Sequence, residues 1–279
     1  HTRSLCDWSS DVCSSDLIGS NKHIGKKKMN LKYGQTRATT RAESGAIDQG
    51  LRSYMLKIYN YMATGILVTG FVALFLFKYS VVTNEAGSIT GLTNLGNAIY
   101  NSALMWVIAF APLGVVMWMS FGLAKMSASK AQTLFWVFAA LMGASLSSIF
   151  MVYVGASIAR VFFITAATFA TMSLYGYTTK SDLTKLGSFL MMGLIGVIIA
   201  SIVNIFLKST QLDFIVSILG VIIFVGLTAY DTQKIKDMYF DGGDSEVMAK
   251  KSIMGALTLY LDFINLFVML LRFFGQRRD

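Results

Sequence analysis

The sequence predicts an all-α, polytopic membrane protein with seven transmembrane helices. Apolar residues make up 54% of its 279 positions and charged residues only 14%, too few to coat a soluble domain of that size. The charges fall between apolar runs long enough for the roughly 20 residues that cross a bilayer as a helix. Proline, which interrupts helices, occurs once, at Pro112.

Residues 1–28 stand apart from that pattern. DWSSDVCSSDL, Asp7 to Leu17, is polar and lacks the apolar core of a targeting signal. It reads as one frame of a common sequencing-adapter sequence. The following GKKKM needs a purine-rich coding stretch resembling a ribosome-binding site ahead of a start codon. Translation is therefore expected to begin at Met29, with 1–28 a spurious leader; a disordered natural tail is the rival reading. With that start, Cys6, Cys13, His1 and His23 drop out. The remaining chain then has no thiol or imidazole for disulfides, zinc or haem ligation, nucleophilic catalysis or histidine switching. A titratable switch or hard-cation site has to be built from carboxylates.

Residues 29–56 form an expected cytoplasmic tail, polar at first and amphipathic from about Ile47, as an interfacial helix would be. The seven-helix domain follows over 57–279, with spans expected near 58–78, 102–121, 133–154, 158–177, 187–207, 213–233 and 252–273. Pro112 should kink the second. The connection around TNEAGSITGLTNLGN, between the first two, is the longest loop. Small residues in MGASLSS, ITAATFATMS and MGLIGVIIAS are expected at close helix contacts rather than along a pore.

Basic residues set the expected orientation. The tail and the loops after the second, fourth and sixth spans carry Lys32, Arg37, Arg41, Arg52, Lys57, Lys125, Lys130, Lys180, Lys185, Lys234, Lys236, Lys250 and Lys251. The other side carries Lys78, Lys208, Arg272, Arg277 and Arg278, with Arg160 near its surface. That places the N-terminus in the cytoplasm and the C-terminus outside. The basic excess reads as topology and lipid contact; no basic and aromatic platform for nucleic acid occurs.

Two acids interrupt the apolar runs. Asp262 lies about ten residues, or about 15 Å, into the seventh expected span, where an isolated ionised Asp costs about 2.5–3.5 kcal/mol. Asp231 ends the run VIIFVGLTAY; in TAYDTQKIKDMYF no breaker precedes Gly242, so the sixth helix should continue to about Tyr239. Its alternative reading is a charge at the membrane interface. The sixth and seventh spans are antiparallel neighbours, so the acids can meet. Two carboxylates in one low-dielectric site cannot readily both ionise, so they would share a proton. Doubly ionised, they offer oxygen ligands suited to Ca²⁺, as a weak transit site.

GLTAYDTQKIK, LYLDFINLF, SLSSIFMVY and SIARVFFITAATF together resemble the Bax inhibitor-1, or transmembrane BAX inhibitor motif, family, in particular its bacterial YccA-like branch. The resemblance covers essentially all of Met29 onward. It implies a central helix ringed by the others and a pH-sensitive Ca²⁺ leak channel of the bacterial inner membrane, with Asp231 and Asp262 as its pH-sensing pair. It also implies a second possibility, since some bacterial relatives bind and modulate a membrane-bound AAA protease, which could grip the tail from Met29 to Leu51. One feature departs from the family. Channel-type relatives carry an arginine on the second span that latches the acid pair, and NSALMWVIAFAPLGVVMWMSFG has none. No cofactor is expected beyond Ca²⁺ as the transported ion. An enzyme is not expected either: intramembrane aspartyl proteases need a glycine-x-glycine-Asp turn, and here LYLD occupies that place.

Overall fold

The computed structural model describes residues 25–84, 89–240 and 243–278, with side chains from residue 49 onward apart from that of residue 124. The chain divides into two units, His1–Asp48 and Gln49–Asp279. Within the first, the backbone is helical from Gly25; Cys6, Cys13, His1 and His23 lie outside the described residues.

All seven expected spans are present, at Gln49–Ser80, Leu104–Gly122, Ala128–Val152, Gly155–Thr178, Thr184–Leu207, Thr210–Asp237 and Ser245–Phe274. The helices are α1 (Gly25–Ser80), α2 (Asn94–Tyr100), α3 (Leu104–Gly122), α4 (Ala128–Leu146), α5 (Ile149–Val152), α6 (Gly155–Thr178), α7 (Thr184–Leu207), α8 (Thr210–Asp237) and α9 (Ser245–Phe274). Pro112 lies within α3, which continues as one helix. The third span is divided at Ser147–Ser148 into α4 and α5. There the Ser147 hydroxyl donates to Ala144 O at 2.6 Å, competing with the helical ladder.

The connection read as a loop is more ordered than expected. Val81–Thr83 (β1) and Ile89–Leu92 (β2) pair antiparallel, Val81 opposite Leu92. Their β-branched residues favour the extended backbone. Thr93 then joins the hairpin to α2: its hydroxyl donates to Tyr79 O at 2.8 Å and accepts from Gly96 N at 3.1 Å.

The central helix is α9, which has 72% of its apolar window buried, against 11% for α3 and for α7. It packs on α4, α6 and α8, and on α1 through Gly255 against Ile58. α3 leans chiefly on α4, and α7 on α8, so these two lie at the periphery of the ring. Polar anchors fix the core. Thr69 Oγ1 lies 2.8 Å from Ala139 O, 3.0 Å from Gly65 O and 2.6 Å from Tyr260 Oη, joining α1, α4 and α9. The Thr69 hydroxyl has one proton, so while it donates to a carbonyl Tyr260 donates to it. The Tyr260 ring stands edge-on to Phe135 and Phe138, at 6.2 and 5.2 Å between centroids.

At the end of the bundle where α8 begins and α9 finishes, Arg272 meets Asp213 at 3.4 Å. Beyond α9 the chain turns back onto the α5–α6 junction: Val154 N donates to Gln276 O, and Arg278 N to Val152 O, both at 2.9 Å. Gln276 N donates to Ser157 Oγ at 2.8 Å. These bonds form a short strap across that end of the bundle.

Candidate functional site

The two intramembrane acids sit on facing helices whose register brings them together. Ile235 packs against Gly255, and Gly220 against Met269, fixing α8 antiparallel to α9. Counting from Ile235 and Gly255, Asp231 is four residues along α8 and Asp262 seven along α9. At 1.5 Å per residue their heights differ by about 5 Å, less than one turn. Their side chains interact directly. Asp262 is only 5% exposed, and its Oδ2 is buried without a hydrogen-bond partner; Asp231 is partly buried. Asp231 thus lies six residues inside α8, which ends at Asp237 close to the expected Tyr239.

Each residue of YDTQKIK has its own contact. Tyr230 covers Gly187 of α7 so closely that a Cβ there has no room. Thr232 donates to Thr228 O at 2.7 Å, so its oxygen is left to accept from Ser173 at 2.9 Å. Ser173 in turn accepts from Tyr59 at 2.6 Å. The chain Tyr59, Ser173, Thr232 therefore runs in one direction across α1, α6 and α8. Gln233 clasps the α6–α7 connection, donating to Ser181 O and accepting from Leu183 N, both at 2.8 Å. Lys236 donates to Tyr177 O at 2.9 Å.

On α8 itself, Lys234 lies three residues beyond Asp231. Its ammonium is within electrostatic reach of Asp231 and lies 5.8 Å from the centre of the Tyr230 ring. Arg160 is exposed in the second turn of α6, about 20 Å along that helix from the Ser173 level. Sequence reasoning missed Lys234, Gln233 and the Tyr59–Ser173–Thr232 chain. For Thr232, Gln233 and Lys234 the signal was a density of polar residues directly after an apolar run; Tyr59 and Ser173 carried none. Among the described residues no group of three or more acids, histidines and cysteines is placed to hold a metal ion.

The small-residue segments divide between two uses. Gly143 of MGASLSS sits against α1, where a Cβ would lie 2.6 Å from Thr69 O, and Gly193 of MGLIGVIIAS lies against Ile223 of α8, where a Cβ would lie 3.1 Å away. These are the close contacts expected. In ITAATFATMS, however, Ala166, Ala170 and Ser173 line an open groove beside α1.

Comparison with known proteins agrees with this architecture. The family described as Inhibitor of apoptosis-promoting Bax1 matches residues 51–279. An uncharacterized protein of Rickettsia prowazekii is 49% identical over 249 residues, covering 89% of this chain and 100% of the relative. An uncharacterized protein of Caulobacter vibrioides is 44% identical over 256 residues, covering 90% and 98%. Inner membrane protein YbhL of Escherichia coli is 48% identical over 231 residues, covering 82% and 94%. A match across all seven spans, including both acid-bearing helices, establishes that this chain belongs to the Bax inhibitor-1 family.

Proposed function

We propose that this protein is a pH-sensitive cation leak channel of the bacterial inner membrane, with Ca²⁺ as the conducted ion. The observation that carries the reading is the meeting of Asp231 and Asp262 on antiparallel helices, with one Asp262 oxygen buried and unpaired. An ionised oxygen left so would be costly, so in the closed state the two acids share a proton. Altering that occupancy changes the packing of α8 on α9 and opens a path on which the carboxylates act as transit ligands. The cytoplasmic side is the one bearing the tail and Lys125, Lys180, Lys234 and Lys251; the C-terminus lies outside. YbhL, an inner membrane protein by name, supports the location.

The protein is read as a non-enzyme. Leu259 and Tyr260, just before Asp262, are fully buried, which leaves no open approach for a peptide bond. The test is Ca²⁺ flux into liposomes as pH is varied. Asp231→Asn and Asp262→Asn should each abolish the pH dependence. Wild-type flux and pH response in both variants would refute the proposal.

A second role, modulation of a membrane-bound AAA protease, is supported by the polar stretch Met29–Leu51, most of which falls in the unit preceding the bundle. Deleting residues 29–48 should abolish effects on the protease while leaving ion flux intact. Unchanged protease effects would remove that role.

A further inference from the structure

Between α1 and α6 the bundle is open toward the membrane. A groove of about 770 Å³ reaches inward from that surface to Phe169 of α6 and Phe263 of the central helix. A second, of about 450 Å³, continues it toward the strap and shares Ile66, Phe162 and Phe263 with it. Small residues make this space: Ala63 of α1 with Ala166 and Ala170 of α6 in the first groove, and Gly70 of α1 with Ala159 of α6 in the second. Apolar walls of this depth hold water poorly, and an empty space of this size forfeits the dispersion contacts of everything that lines it.

One end of the first groove is chemically distinct. Arg52 stands exposed at its mouth, at the end of the bundle that also carries Lys57, Lys234 and Lys236. Among the described residues no carboxylate pairs with Arg52. From Arg52 to Ile66 is 14 residues, or about 21 Å of helix, the depth of one leaflet with its headgroup layer. A guanidinium at the interface with an apolar trough below it matches a phosphate above an acyl chain.

We infer that this groove is a binding site for one acidic phospholipid, with its phosphate on Arg52 and an acyl chain lying between α1 and α6. The surrounding basic residues favour a net negative headgroup. The bound chain rests against Tyr59 and Ser173, which lead to Thr232 beside Asp231. The lipid therefore touches the network that seats α8.

The full chain, purified in detergent, is offered equimolar phosphatidylglycerol and phosphatidylcholine of identical acyl chains, and retained lipid is read by native mass spectrometry. One phosphatidylglycerol should be retained in preference to phosphatidylcholine by about tenfold. Arg52→Gln, an exposed change that leaves the fold intact, should abolish the preference. Ala166→Leu with Ala170→Leu should reduce retention of both lipids. Equal retention of the two lipids by the wild type would overturn the assignment, as would an undiminished preference in Arg52→Gln. Undiminished retention in the filled variant would overturn the place of the acyl chain.

Discussion

Single hydroxyls hold this fold at points where apolar packing alone would not define one arrangement. Thr69 is the sharpest case, because Tyr260 depends on it for a partner in a buried site. Thr69→Val should cost about 1–3 kcal/mol, since it leaves the phenol hydroxyl buried and unpaired. Tyr260→Phe should cost about 0.5–1.5 kcal/mol, since Thr69 keeps its carbonyl bonds. The double variant should cost less than the sum, measured by unfolding in detergent. Strict additivity would mean that the pair does not act as described. At this scale Asp262 was legible in the sequence, because a charge inside an apolar run stands out against a known energetic penalty. Lys234 was passed over: a lysine just past a span reads as topology, although a helix continuing past Asp231 already places it one turn from that acid.

Helices pack here through specific close approaches, and these carry their own predictions. Gly176→Ala would push a methyl group against the Ala229 carbonyl, a backbone atom that cannot swing aside. It should destabilise the α6–α8 pair by about 1–3 kcal/mol. Lys208 ends α7 in the left-handed region, at φ 50°. Lys208→Gly should therefore raise stability by about 1 kcal/mol in the same unfolding assay. Ahead of α7, hydrogen bonds from the Thr184 hydroxyl and backbone N–H hold the exposed Asp182 carboxyl below its usual range. Its stabilising effect is present above the ordinary Asp range and fades as pH falls through the lowered value. Asp182→Asn should accordingly lower the melting temperature slightly near neutrality, with the difference closing in acid. The existence of every span was legible in the sequence, since apolar length alone specifies a bilayer crossing. The β1–β2 hairpin and the break at Ser147–Ser148 were not, since both depend on tertiary partners such as Tyr79 O and Tyr100 Oη.

The whole molecule separates its basic residues between its two ends, and that asymmetry gives the clearest global test. A reporter active only in the cytoplasm should be active when inserted at Lys180 and silent when inserted at Lys208. The reverse pattern would invert the proposed orientation. The ring around α9 was legible only through family resemblance, because hydropathy marks which segments cross the membrane and not which one is central. The groove beside α1 was hidden for a related reason: alanines that press helices together and alanines that keep them apart look the same in a sequence. The strap at Gly275–Arg278 has a mechanical consequence. Its far end is tied to Val152, Val154 and Asp213, by bonds that sliding the central helix along its axis would break. Tilt about that end would leave those bonds intact, and the helix would then act as a lever. Displacement then grows with distance from the pin, and Asp262 lies about 18 Å along the arm from Phe274. A small swing that left the pinned end unchanged would thereby be magnified at the carboxylates.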